Sequence, residues 1–123
     1  MQRVIALFDG DWAWLDILET VLTDEGYCTV LGNAGSDAYD LILHSQPDLV
    51  ILDTWLQVRD DGWALLQRMW DSSATASIPV VVCSSDRKSL PADLPLLRER
   101  HYAVLEKPCA LTDLLAQITA LLL

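Results

Sequence analysis

At 123 residues the chain is long enough for one hydrophobic core and too short for two. Hydrophobic residues make up 52% of it, which excludes a disordered chain. Lys and Arg total 8 against 18 Asp and Glu, a net charge of −10, so its surface repels a phosphate backbone and nucleic-acid binding is not expected.

The first element is the apolar run Val4 to Phe8, which stops at Asp9-Gly10-Asp11 and suits a buried parallel strand. It is too short for a signal peptide and lacks a small-residue cleavage site. With no other run near the roughly 20 apolar residues of a membrane span, a cytoplasmic chain without membrane contact is expected. Leu15, Leu18, Val21 and Leu22 recur at helical spacing, and Gly26 closes that helix. Tyr27 to Leu31 reads as a second strand. Ser36 can cap a second helix with Ala38, Leu41 and Ile42 on its inner face.

Pro47 ends that helix before a third strand, Leu49 to Leu52, which runs into Asp53. Trp63, Leu66, Met69 and Trp70 mark a third helix. A fourth strand, Val80 to Cys83, ends at Ser84, and a short fifth, Ala103 to Leu105, precedes Glu106-Lys107-Pro108. Between them Pro91 and Pro95 confine any helix to a start near Pro95. Thr112 onward, with Leu114, Leu115, Ile118, Leu121 and Leu122, forms the last helix. Alternation of this kind predicts an α/β fold, a doubly wound five-stranded parallel sheet in a single domain over residues 1–123.

The other chemistry-bearing residues have plain readings. Cys28, Cys83 and Cys109 form no Cys-x-x-Cys pair and are expected as buried or half-buried small apolar residues in a reducing compartment. Trp12, Trp14, Trp63 and Trp70 fit core or rim positions, and His44 and His101 fit the surface.

Open parallel sheets bind ligands at the carboxyl ends of their strands. There the sequence places Asp9-Gly10-Asp11, Asp53, Ser84 and Lys107. With Pro47-Asp48-Leu49-Val50-Ile51-Leu52-Asp53, Ile78-Pro79-Val80-Val81-Val82-Cys83-Ser84-Ser85 and Glu106-Lys107-Pro108 in order, the whole chain resembles the receiver domain of bacterial response regulators.

That resemblance implies a flavodoxin-like sheet of strand order 2-1-3-4-5 and a two-component or phosphorelay role. Asp53 would accept a phosphoryl group and bind Mg2+, with the Trp55 backbone carbonyl as a further ligand and Asp9 acting through water; Asp11 points elsewhere in the family, and in one of two competing outcomes flexible Gly10 bends the backbone so that it reaches the metal. Lys107 would pair with Asp53 and then with a phosphoryl oxygen, Ser84 would donate its hydroxyl to another, and the Lys107-Pro108 bond would be cis. The implied partners are a sensor histidine kinase or phosphotransfer protein and a separate or fused output domain. At most the chain would be an autocatalytic phosphoacceptor rather than an enzyme.

Several positions depart from the pattern. Gly10 stands where the family usually has a second acid, the one that touches Mg2+ directly. The loss of one anionic ligand is worth on the order of 1–3 kcal/mol, or roughly ten- to hundredfold in metal affinity, so weakened Mg2+ binding is expected. Val104 replaces the usual aromatic three residues before Lys107, and the segment Gln57 to Gly62 is one residue longer than usual. These departures leave room for a phosphorylation-independent interaction module. Phe8-Asp9-Gly10-Asp11 also resembles the Asp-x-Asp opening of haloacid-dehalogenase-type phosphatases, although Trp12 follows where Gly-Thr is usual.

Overall fold

The computed structural model describes residues 2–32, 35–56, 61–84 and 102–123, without the side chains of Gly35, Ser36 and Ser84. Five strands, β1 (Val4–Phe8), β2 (Cys28–Gly32), β3 (Leu49–Asp53), β4 (Val80–Ser84) and β5 (Tyr102–Glu106), form one parallel sheet in the order β2-β1-β3-β4-β5. Among the described residues four helices cover it: α1 (Trp12–Asp24), α2 (Gly35–Ser45), α3 (Asp61–Trp70) and α4 (Leu111–Leu122). The expected order 2-1-3-4-5 is therefore observed. The helix expected near Pro95, the Ser36 cap and His101 fall outside the described residues and side chains.

Successive side chains on a strand point to opposite faces, and here that alternation divides the core in two. Ala6 and Phe8 of β1, Val50 and Leu52 of β3, and Val80 and Val82 of β4 face one layer. There they meet Ala38, Tyr39 and Ile42 of α2 and Leu65, Leu66 and Met69 of α3. Ile5, Leu7, Leu49, Ile51, Val81 and Cys83 face the other, packed on Leu15, Leu18 and Leu22 of α1 and Leu114 and Ile118 of α4. Strands covered on both faces must be apolar at every position, which explains the unbroken runs.

The helix ends follow from local chemistry. Asp11 caps α1 by accepting from the Ala13 and Trp14 N–H groups at 3.0 and 3.3 Å. Gly26 takes φ of +93°, the left-handed conformation that ends a helix at low cost. Three expectations are corrected. Leu41 lies toward solvent at 37% exposure, and Tyr39 takes the inward place beside Ala38 and Ile42. Cys28 is exposed because it opens edge strand β2. Trp12, at the start of α1, is 52% exposed, beyond the core or rim position expected of it.

At its amino end the sheet is bracketed. The Val4 N–H donates to the Asp48 carboxylate at 2.8 Å, and the Asp48 N–H donates back to the Val4 carbonyl at 2.7 Å. The Arg3 carbonyl accepts from the Cys28 N–H, so β1 is held on both sides where it begins.

Candidate functional site

Register alone assembles the site. Phe8 pairs with Leu52, so Asp9 and Asp53, one residue further on, leave neighbouring strands side by side. Ser84 pairs with Glu106, which puts Lys107 just past the end of β5 at the same edge. The Lys107-Pro108 peptide is cis, as the resemblance implied.

Asp9 and Asp53 are 5% and 6% exposed, and both meet one ammonium. Lys107 Nζ donates to Asp9 Oδ2 at 2.5 Å and to Asp53 Oδ2 at 2.6 Å. The remaining oxygens take backbone donors: Asp9 Oδ1 accepts from the Asp11 N–H at 3.0 Å, and Asp53 Oδ1 from the Trp55 N–H at 2.9 Å. Nearly buried carboxylates require such pairing, because an uncompensated charge there is costly.

Burial pushes the Asp9 carboxyl above its ordinary value, against the lowering effects of Lys107 and the Asp11 N–H. Burial acts on Lys107 in the opposite sense, but hydrogen bonds to Asp53 and Asp9 outweigh it and hold its pKa above the ordinary value. The Trp14 ring lies 5.8 Å from Lys107 Nζ, within cation–π range, a role its assignment to core or rim did not foresee.

The remaining expected residues are less concentrated. Ser84 ends β4 at the right edge, but its hydroxyl lies outside the described side chains. Asp11 has its carboxylate turned to the α1 cap rather than toward Asp9 and Asp53. Trp55 is 53% exposed beside the pocket. Among the described residues no group of three or more His, Cys, Asp or Glu side chains is arranged to hold a metal.

Two glycines explain the local shape. A Cβ on Gly10 would lie 2.4 Å from the Leu56 carbonyl oxygen and 3.5 Å from that of Trp55. Loop backbone thus occupies the space from which a second acid would project. A Cβ on Gly62 would lie 1.9 Å from the Asp53 carbonyl oxygen. The Gly62 N–H donates to the Thr54 carbonyl at 3.0 Å, while Asp61 Oδ1 accepts from the Leu56 N–H at 2.6 Å. The first turn of α3 is therefore pressed directly onto the segment that carries Asp53. Sequence reasoning missed Gly62 and Asp61; their one signal is a glycine at the start of a helical pattern.

Gly10→Ala is expected to cost roughly 1–3 kcal/mol, because the Leu56 backbone has to move. Chemical denaturation beside wild type checks this, and an unchanged midpoint would show that the loop yields freely. Gly10→Asp carries the same steric cost, so its Mg2+ affinity belongs beside that of Gly10→Ala. The added acid is expected to tighten binding about tenfold or more relative to that control.

Residues 5–119 match the family described as the response regulator receiver domain. The chain belongs to that family. The response regulator MprA of Mycobacterium sp. (strain KMS) is 33% identical to this receiver domain over 118 residues, 96% of the chain and 50% of the relative. MprA of Mycobacterium leprae is 32% identical over 121 residues, 98% of the chain and 51% of the relative. The receiver domain thus spans about half the length of these curated relatives. Among solved structures, NtrX from Brucella abortus superposes with a TM-score of 0.79 at 28% identity, covering 99% of this chain and 26% of that one. The fold also matches the BeF3-activated N-terminal receiver domain of Klebsiella pneumoniae RstA, with a TM-score of 0.82 at 22% identity over 98% of each chain. Receiver domains are signalling modules of two-component systems.

Proposed function

We propose that this receiver domain accepts a phosphoryl group on Asp53. The observation that carries the reading is the Lys107 ammonium shared by Asp53 and Asp9 at 2.6 and 2.5 Å where β1, β3 and β5 end. A carboxylate oxygen of Asp53 attacks phosphorus, the new O–P bond forms, and the bond to the donor's leaving group breaks with its electron pair. Lys107 holds the nucleophile in place and then meets the negative phosphoryl oxygens as they arrive. Ser84, at the end of β4, is the hydroxyl assigned to another phosphoryl oxygen.

Mg2+ is the cofactor this reading calls for. The donors available to it, the Asp9 and Asp53 carboxylates and the Trp55 carbonyl, are all oxygen, the kind of ligand it takes. When bound, the ion would offset the charge of phosphate against carboxylate. With Gly10 in place of an acid and Asp11 capping α1, the site holds fewer anions than the family pattern, so Mg2+ dependence is expected to be weak in affinity. A histidine kinase or phosphotransfer protein is the proposed donor, and an output module on the same or another chain the receiver of the signal. No helix among the described residues is long and apolar enough to cross a membrane, which fits the cytoplasmic location proposed.

Acetyl phosphate with Mg2+, followed by intact mass, tests the reading. Wild type is expected to gain the mass of one phosphoryl group, and Asp53→Asn to gain none. Uptake that persists in Asp53→Asn would place the acceptor elsewhere. No uptake by wild type at any Mg2+ concentration would favour a phosphorylation-independent interaction module. That second reading draws its support from the loop backbone packed against Gly10. A phosphatase of the Asp-x-Asp type finds little support, since its acid/base would be Asp11, which caps α1.

A further inference from the structure

An ammonium has three N–H donors, and the hydrogen bonds of Lys107 Nζ among the described residues use two of them, to Asp9 Oδ2 and Asp53 Oδ2 at 2.5 and 2.6 Å. The lysine side chain keeps 20% exposure and carries its charge on a flexible four-carbon stem. Two contacts hold such a point charge less firmly than three.

The third contact is an indole. Lys107 Nζ lies over the Trp14 ring, 5.8 Å from its centroid. The face of an aromatic ring is its negative part and attracts an ammonium within about 6 Å, more strongly where water is scarce. The ring is held independently of the lysine. Trp14 is half-buried against the apolar layer that α1 and α4 form with the sheet, and its N–H donates to the capping carboxylate of Asp11 at 3.3 Å. Its Nε1–H is buried without a hydrogen-bond partner among the described residues. A phenyl ring would pack there without that cost, so packing alone does not account for an indole, whereas the stronger π face of tryptophan does.

We propose that Trp14 is a positioning residue for phosphoryl transfer, its ring face holding the Lys107 ammonium beside Asp53, where the phosphoryl oxygens arrive. The role rests on the phosphoacceptor reading, whereas the contact itself does not. It also gives Asp11 a part in the site other than metal binding. By capping α1 it sets the turn that carries the ring, and the ring steadies the lysine.

The test compares acetyl phosphate uptake by the full chain in wild type, Trp14→Tyr, Trp14→Phe and Trp14→Leu. Uptake is followed by intact mass at saturating Mg2+, under conditions where each variant is folded. Leu and Phe both offer apolar atoms, but only Phe presents a π face. The maximal rate is expected to fall roughly three- to tenfold in Trp14→Leu and by less in Trp14→Phe and Trp14→Tyr. The acetyl phosphate concentration for half-maximal rate should stay within about twofold of wild type, because the ring acts through Lys107 rather than on the donor. Equal maximal rates in Trp14→Phe and Trp14→Leu, or a loss confined to the half-maximal concentration, would overturn the role.

A second measurement needs no turnover. Denaturant unfolding is compared in wild type, Trp14→Leu, Lys107→Gln and the double variant, Gln keeping N–H donors without the charge. Trp14→Leu is expected to raise the unfolding constant about threefold or more beyond its effect in the Lys107→Gln background. The same effect in both backgrounds would overturn the contact. If Lys107→Gln fails to fold, the comparison of Trp14→Phe with Trp14→Leu decides the proposal. No uptake by wild type would overturn the phosphoacceptor reading and the positioning role with it, leaving the unfolding cycle to decide the contact.

Discussion

Lys107→Met is expected to destabilise the domain by roughly 2–3 kcal/mol at neutral pH, at and just below the bottom of the roughly 3–5 kcal/mol range for removing one partner of a buried ion pair. The discount reflects the Lys107 side chain, which is 20% exposed, while the Asp9 and Asp53 side chains are only 7% and 8% exposed. Two neighbouring carboxylates would keep only their backbone donors. The gap to wild type should narrow on acidification, because the Asp9 carboxyl, which burial already raises, can then take a proton. In wild type the sign is opposite at the alkaline end. The folded lysine pKa lies above its ordinary 10.5, so its stabilisation is complete below that value and is lost as pH rises through the folded pKa. Mg2+ should raise the melting temperature of Lys107→Met more than that of wild type, since the variant offers the same oxygens without a competing cation. Equal stability of the two proteins at neutral pH, by denaturant titration, would refute the structural role given to this lysine.

Gly62→Ala is the second large effect. Its added Cβ would lie 1.9 Å from the Asp53 carbonyl oxygen, 2.6 Å from the Thr54 Cα and 2.8 Å from the Asp53 carbonyl carbon. All three are backbone atoms, so no side-chain rotation relieves the contact. Either α3 starts elsewhere or the end of β3 shifts, and both disturb the Gly62 to Thr54 hydrogen bond. The expected cost is roughly 3 kcal/mol or more. The melting temperature and the near-ultraviolet signal of Trp63, which follows directly, report it. A variant that melts with wild type would show that the first turn of α3 is not held against Asp53.

The fold was legible because its strongest signals are local. Each central strand is an unbroken apolar run up to its last residue, and the helices carry most of their apolar residues on one face, so element type and order follow from periodicity. The Asp9, Asp53 and Lys107 cluster was legible for a related reason: residues that follow the strands of a parallel sheet must emerge at one edge. Positions that depend on packing were harder to read. Leu41 and Tyr39 both fit a helical stripe, and only packing against the core layer decides that Tyr39 turns inward at 7% exposure. The close approach at Gly62 leaves no pattern in the chain, because it arises where separate segments meet in space. Cys28 was misread because composition cannot tell an edge strand from a central one.

The bracket between Val4 and Asp48 has a mechanical meaning. It fastens β1 to the residue just before β3 at the end of the sheet opposite Asp9 and Asp53. Strands clamped at one extremity and bearing charge at the other behave like tines of a fork, free to splay only at their tips. A change of charge among the tips would then be confined to the residues beyond the last paired positions, Phe8 and Leu52, away from the clamped base.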